Sequence, residues 1–234
     1  MKKISTLLLL AFLLNGCDVL KNLPSSSGTV SEAEAGQGIK EALSHGIAGA
    51  VLQLNRQDGF FGDALYKILL PPDARKIEST LRSLGMNKIV DKAILQINRG
   101  AEDAVGFAKP IFADAISSMT IEDAIGLVRN GDTSITHFFR TKTTAKLIAA
   151  FSPAIKSSLD RVEATKYYGD IVNTYNSFPT TFTKINPDLP SYVTEKATVA
   201  LFDLIAKKEV DIRTNFAART TDLLKKVFGG LIKQ

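Results

Sequence analysis

The chain has 234 residues, 45% of them hydrophobic and 23% charged, with one Cys, no Trp and a mean hydropathy of +0.07. That composition excludes a disordered chain, a disulfide-stapled scaffold, collagen and a polytopic membrane protein. The formal charge of +5 becomes +3 (27 basic against 24 acidic residues) if Lys2 and Lys3 leave with a leader of residues 1–16, a balance that suits solubility and carries no nucleic-acid footprint.

Such a leader is the first expected element. Lys2 and Lys3 precede an unbroken apolar run from Leu7 to Leu14, too short for a bilayer core about 30 Å thick and proportioned as a secretory signal. The run ends in Leu14-Asn15-Gly16-Cys17, which resembles the bacterial lipobox. The resemblance implies cleavage between Gly16 and Cys17, a diacylglycerol thioether on Cys17 and a further acyl chain on the new amine. Asn15 departs from that pattern, which more often holds a small or β-branched residue there. Several acyl chains meet the condition for stable attachment to a bilayer, which one chain does not. Asp18 resembles the inner-membrane retention signal of enterobacterial-type sorting. After Cys17 no thiol remains, which excludes disulfides, thiolate metal sites and Cys nucleophiles from the rest of the chain. Residues 17–30 then read as the lipidated Cys and a Ser/Pro/Gly tether; its flexible part reaches about 20 Å.

From residue 31 to 234 the pattern is helical throughout, and the expectation is one all-α, bundle-like domain of nine to eleven helices. Ser31-Glu32-Ala33-Glu34 is a capping box that opens a helix to about Gln57. Gly36, Gly38, Gly46 and Gly49 weaken that helix unless they admit a partner closely. Asp58 is placed to cap a short helix through Phe60, Phe61, Leu65 and Ile68. Pro71-Pro72 end it and seed a helix over Asp73–Leu84, which Gly85 terminates. Across 87–119, the residues Val90, Ile94, Ile97, Ala101, Ala104, Ala108, Ile111 and Ala115 form a heptad stripe, large at one end and lined with alanine at the other. Pro110 lies within it and predicts a kink, because it frees the carbonyl of Gly106.

Thr120 with Asp123 caps a short helix ending at Asn130-Gly131. Another starts at Asp132 or Thr133, and a further one runs from about Thr143 to Val162, kinked or restarted at Ser152-Pro153. Ala164–Tyr175 is helical, Phe178–Pro190 is a loop with three prolines, and Ser191 caps the next helix, carrying Val193, Ala197, Leu201, Leu204 and Ile205. A last helix over Ala217–Phe228 ends at Gly229-Gly230. No internal repeat is apparent, which argues against a solenoid.

Several strings are similar to those of the bacterial DUF4197 family of uncharacterised, exported helical proteins. They include Lys109-Pro110-Ile111-Phe112 through Met119-Thr120-Ile121-Glu122-Asp123-Ala124, and Asn130-Gly131-Asp132 with Phe138-Phe139-Arg140. Ala164-Thr165-Lys166-Tyr167-Tyr168, Tyr192-Val193-Thr194 and the run Ala218 to Gly229 complete the set. The resemblance covers residues 38–229 and implies membership without implying an activity, a cofactor or a catalytic residue. His137 stands where Gln or Tyr is expected, which argues against a histidine-dependent reaction.

Chemistry is sparse. With only His45 and His137, 92 residues apart, and no G-x-S-x-G or HExxH, neither a Ser-His-Asp system nor a zinc site is supported. No phosphate loop occurs, and no cofactor is expected. The candidate polar cluster is Asp114, Asp123, Asp132 and Arg140, with Glu122, Lys109 and Arg129 nearby. Two carboxylates at a sugar cleft would suit hydrolysis; the competing reading makes Asp123 a helix cap and Arg140 a salt-bridge partner. Lys166 and Tyr168, with Tyr167 and Tyr175, are placed either to stack on a ligand or to pack with a wet hydroxyl, Lys166 or Tyr168 being the exposed member. The amphipathic 219–228 stretch either touches anionic lipid or docks Leu223, Leu224 and Val227 on the core.

The expectation is a periplasmic lipoprotein anchored in the bilayer through Cys17, inner membrane favoured by Asp18. Its leading function is non-enzymatic, an envelope interaction or scaffold module with a protein partner. A bundle binding a small apolar ligand or lipid comes second, and a hydrolase using the 109–140 carboxylates third.

Overall fold

The computed structural model describes residues 31–215 apart from 132, 162, 178, 180–183 and 187, together with 218 and 225, and not the side chains of residues 171 and 174. The chain divides after Ser31, and the second unit is Glu32–Gln234. Among the described residues the second is all-α: α1 (Glu32–Asn55), a 3-10 turn (Pro72–Ala74), α2 (Arg75–Ser83), α3 (Asn87–Val105), α4 (Ala108–Ser117), α5 (Ile121–Arg129), α6 (Ser134–Arg161), α7 (Ala164–Ser177) and α8 (Leu189–Thr214). The described residues hold eight α-helices, against the nine to eleven expected. Apart from residues 218 and 225, the 217–228 helix lies outside the described residues.

The two longest helices, α6 and α8, pack on each other most extensively; α3 and α4 lie against α6, and α1 lies across α4, α5 and α8. Phe112 of α4 meets Phe139 of α6 and Phe202 of α8 edge-to-face, at ring-centroid distances of 5.7 and 6.2 Å. All three rings are essentially excluded from water, each gaining about 1.5–3 kcal/mol from burial. One close approach depends on glycine. A Cβ on Gly36 would lie 2.5 Å from a methyl carbon of Ile121, so α1 and α5 meet where only hydrogen fits.

Proline placement differs from the expectation in both long segments. The stripe from Val90 to Ala115 occupies two helices, not one kinked helix, and the chain breaks at Gly106-Phe107. The break falls where Pro110 removes the amide that would bond the Gly106 carbonyl and crowds that carbonyl with its ring. Pro110 then sits within the first turn of α4. Pro153, by contrast, lies inside an unbroken α6, which joins the two helices expected over 132–162. The carbonyl that Pro153 frees belongs to exposed Ala149, where water can satisfy it.

The helix expected through Phe60 and Ile68 is absent, and residues 56–71 are turns and irregular backbone. Buried side chains of α3 take over the backbone bonds that a helix would have made. Asn98, fully buried, accepts from the Ile68 amide at 2.8 Å and donates to the Ile68 carbonyl at 2.8 Å. Glu102 accepts from the amides of Phe60 and Phe61, both at 3.1 Å. Arg99 joins Glu102 to Asp58 at 2.6 and 2.7 Å. α8 begins at Leu189, two residues before the expected cap: Asp188 accepts from the Ser191 amide at 3.1 Å, and Pro190 occupies the first turn.

Candidate functional site

Asp114, Asp123 and Arg140 of the expected polar cluster each have a partner. Thr120 and Asp123 form the capping box at the start of α5: Thr120 Oγ1 accepts from the Asp123 amide at 3.0 Å, and Asp123 Oδ2 accepts from the Thr120 amide at 3.1 Å. Hydrogen bonds from the Thr120 side chain and backbone hold the Asp123 carboxyl below the usual carboxylate range. Asp114 is exposed and pairs with Lys146 of α6 at 3.0 Å. Arg140 lies over the Phe202 ring, its guanidinium carbon 4.9 Å from the centroid. It is not ion-paired across the α5–α6 turn among the described residues. Asp132 lies outside the described residues.

What holds that turn is a pair absent from the expected site, Glu209 and Arg213 of α8. Glu209 accepts from the Ile135 amide at 3.1 Å and from the Thr136 amide and hydroxyl at 2.8 and 2.7 Å, capping the start of α6. Arg213 donates to the carbonyls of Val128 and Leu127 at 3.0 and 2.9 Å, closing the end of α5, and pairs with Glu209 at 2.9 Å. Both charges are buried, and each satisfies free backbone groups at a helix end. The signal was present in sequence: Leu201, Ile205, Glu209 and Arg213 continue one stripe at a spacing of four, so an acid and a base of opposite sign were destined for the apolar face.

The tyrosines lead to a different feature. Tyr168 is buried, at 4% exposure, and its hydroxyl donates to the Asn186 carbonyl at 3.2 Å. Burial, followed by the charge of Asp73 and by Tyr192, pushes its phenol up to about 12. Its neighbour Tyr167 is the exposed ring, and Lys166 is exposed as expected. Tyr167 and Tyr168 line a cavity of about 250 Å³ between α2, α3 and the start of α7. Leu70, Ile77, Leu81, Val90 and Ile97 form much of the remaining wall, with Glu78, Lys92 and Gln96 as its polar members.

α2 covers this cavity and buries no residue of its own fully. Ile77 and Leu81 are its half-buried inner face. Two features mark its ends: Pro71-Pro72 ahead of it, and Gly85 at φ +78° behind it, a left-handed conformation that glycine adopts without strain. Arg82 holds the helix down, bridging Glu78 of α2 and Asp91 of α3 at 2.9 Å each. Asp114 and Asp123 are not among the residues that line the cavity.

Both histidines are exposed, His45 lying 3.9 Å from Glu41. Among the described residues no group of three or more His, Cys, Asp or Glu is gathered as a metal site, and no helix is long and apolar enough to cross a membrane. No curated protein and no solved structure matches the chain. A family model described as "Protein of unknown function (DUF4197)" matches residues 29–229, and the chain belongs to that family.

Proposed function

We propose that this chain is a non-enzymatic binding module of the bacterial envelope, held on the periplasmic side of a membrane by an acylated Cys17, that takes an apolar group into the cavity beneath α2. Asp18 favours the inner membrane. The observation that supports this reading is the cavity itself: about 250 Å³ of mostly aliphatic and aromatic wall under a helix with no fully buried residue. An engineered apolar cavity of about 150 Å³ admits benzene, whereas drug-sized ligands need about 300 Å³ or more. The volume therefore suits a short acyl segment or one slender hydrophobic molecule. The candidate carboxylates are engaged elsewhere, Asp114 with Lys146 and Asp123 with the α5 cap.

The test is native mass spectrometry on residues 29–234 exported to the periplasm and purified without detergent. The expected result is a reproducible added mass that is lost in Ala93→Phe, since Ala93 lines the wall. A bare protein whose melting temperature does not move with added fatty acid would overturn the reading.

A protein partner is the second reading. Leu84, Met86 and Ile89 are exposed at 69%, 38% and 46% around the α2–α3 turn, and Ile89 also lines the cavity. A photo-crosslinker at Leu84 that captures one dominant envelope protein in cells, with no added mass in the purified domain, would favour that reading.

A further inference from the structure

A second concavity shares a segment with the first. Leu70 and Ala74 line the cavity, while their neighbours Leu69 and Arg75 line an open groove of about 350 Å³ against α8. Two kinds of side chain meet there. Leu65, Leu69 and Val199 stand 66%, 45% and 49% exposed. Lys67, Arg75 and Lys196 supply three cations that form no ion pair among the described residues; Lys67 lies 4.1 Å from the Phe61 ring centroid and Lys196 lies 5.5 Å from that of Tyr192.

The groove's one acid is already neutralised. Asp203 pairs with Lys207 at 2.7 Å and accepts from the Tyr66 hydroxyl at 2.8 Å, and the Lys207 bond holds its carboxyl below the ordinary range. Asp73 and Glu195 are sequence neighbours of the cations but do not line the groove. The net charge that the groove presents is positive, beside aliphatic side chains left in water.

We propose that this groove is the face by which the domain lies on an anionic phospholipid surface. The inference rests on the reading that Cys17 tethers the chain to a bilayer. An acidic protein segment would answer the three cations but would not require the projecting aliphatic side chains. A bilayer interface answers both, because headgroup phosphates take the Lys and Arg termini while Leu65, Leu69 and Val199 enter the acyl boundary.

The chain has no Trp, so Leu65→Trp places a single reporter in the groove and Ile148→Trp, on the exposed side of α6, a control outside it. The full processed chain is reconstituted in phosphatidylcholine vesicles with and without phosphatidylglycerol, including brominated lipid. Mass spectrometry establishes its acylation separately. On anionic vesicles the Leu65→Trp emission shifts to the blue and is quenched, while the Ile148→Trp emission is not. Each cation near an anionic surface is worth about a factor of five, so neutralising Lys67, Arg75 and Lys196 together lowers the docked-to-free ratio on the order of a hundredfold. An acylated protein whose Leu65→Trp emission ignores phosphatidylglycerol, or equal quenching at both positions, overturns the docking. A chain without acyl groups overturns the tether alone; the same variants then test the groove by flotation with anionic vesicles, where loss of flotation in the neutralised variant supports it and unchanged flotation overturns it.

Discussion

Replacing Arg213 by Ala tests whether the buried pair on α8 is a structural clamp. The substitution removes the donors to Leu127 and Val128 at the end of α5 and leaves the Glu209 carboxylate buried, at 2% side-chain exposure, without its counter-charge. Breaking a buried pair from one side costs about 3–5 kcal/mol. At about 4 kcal/mol, a domain of this size would lose about 8–16 °C of melting temperature. The decisive comparison is the double variant Glu209→Leu/Arg213→Met. A buried pair that only satisfies itself can be replaced by apolar side chains at little cost. Here the two charges also cap α5 and α6, so the double variant strands the Ile135 and Thr136 amides and the Val128 carbonyl, and leaves the Leu127 carbonyl to the Ser134 hydroxyl alone. We expect it to remain at least about 2 kcal/mol below the wild type, since each buried unsatisfied group costs about 1–3 kcal/mol. Urea unfolding followed by circular dichroism at 222 nm measures both, and the two single variants complete a double-mutant cycle. A double variant as stable as the wild type would refute the capping argument.

Other consequences follow from named contacts. Gly36→Ala forces a methyl group against Ile121 and should cost about 1–3 kcal/mol, whereas Gly49→Ala meets nothing within 4 Å and should gain up to about 1 kcal/mol; thermal melts of the two variants should move in opposite directions. Ala93→Leu fills part of the cavity and should raise stability in the absence of ligand while abolishing uptake of a fluorescent fatty acid, a pairing that stability melts and binding titrations check together. Asp203 ionises below its ordinary value in the fold, so the unfolded chain binds more protons than the fold as the pH falls through the carboxylate range, and stability present at neutral pH is lost towards acid. Asp203→Asn should flatten that acid-side loss, and because its side chain is 47% exposed the effect should stay below about 1 kcal/mol. Tyr168 titrates near 12 in the fold against 10.0 in the open chain, so the stability it contributes is intact below pH 10 and is lost as pH rises through that window; tyrosinate absorbance and its absence in Tyr168→Phe report the step.

Much of the architecture was legible because helices announce themselves through nearest-neighbour chemistry. The Thr120–Asp123 box, the Asn130-Gly131 stop and the apolar positions of α3 and α4 all depend on side chains within a turn of the backbone they serve. The errors share one cause. The 58–68 helix failed because Asn98 and Glu102, 30 to 42 residues away, satisfy that backbone in a different shape. Pro110 and Pro153 present the same local chemistry, yet one coincides with a break and the other does not. The carbonyl freed by Pro153 is on a residue facing water, and α6 is held along its length by α3, α4 and α8.

The candidate site divides in the same way. Sequence identified Asp123 as a cap and marked the 166–168 tyrosines as worth attention. It did not show which ring would be buried, because Tyr167 and Tyr168 are adjacent and only the packing of α7 against α3 chooses between them. Glu209 and Arg213 carried a readable anomaly, charges on an apolar stripe, but their role required the ends of α5 and α6 to arrive beside α8. By itself the sequence determined the helical class, the Thr120–Asp123 cap of α5 and the membership of DUF4197, since those follow from composition, local spacing and recognisable strings. Tertiary structure alone decided the cavity, the basic groove and the buried clamp, because each is made of residues from segments distant in the chain, and only packing brings their side chains to one place.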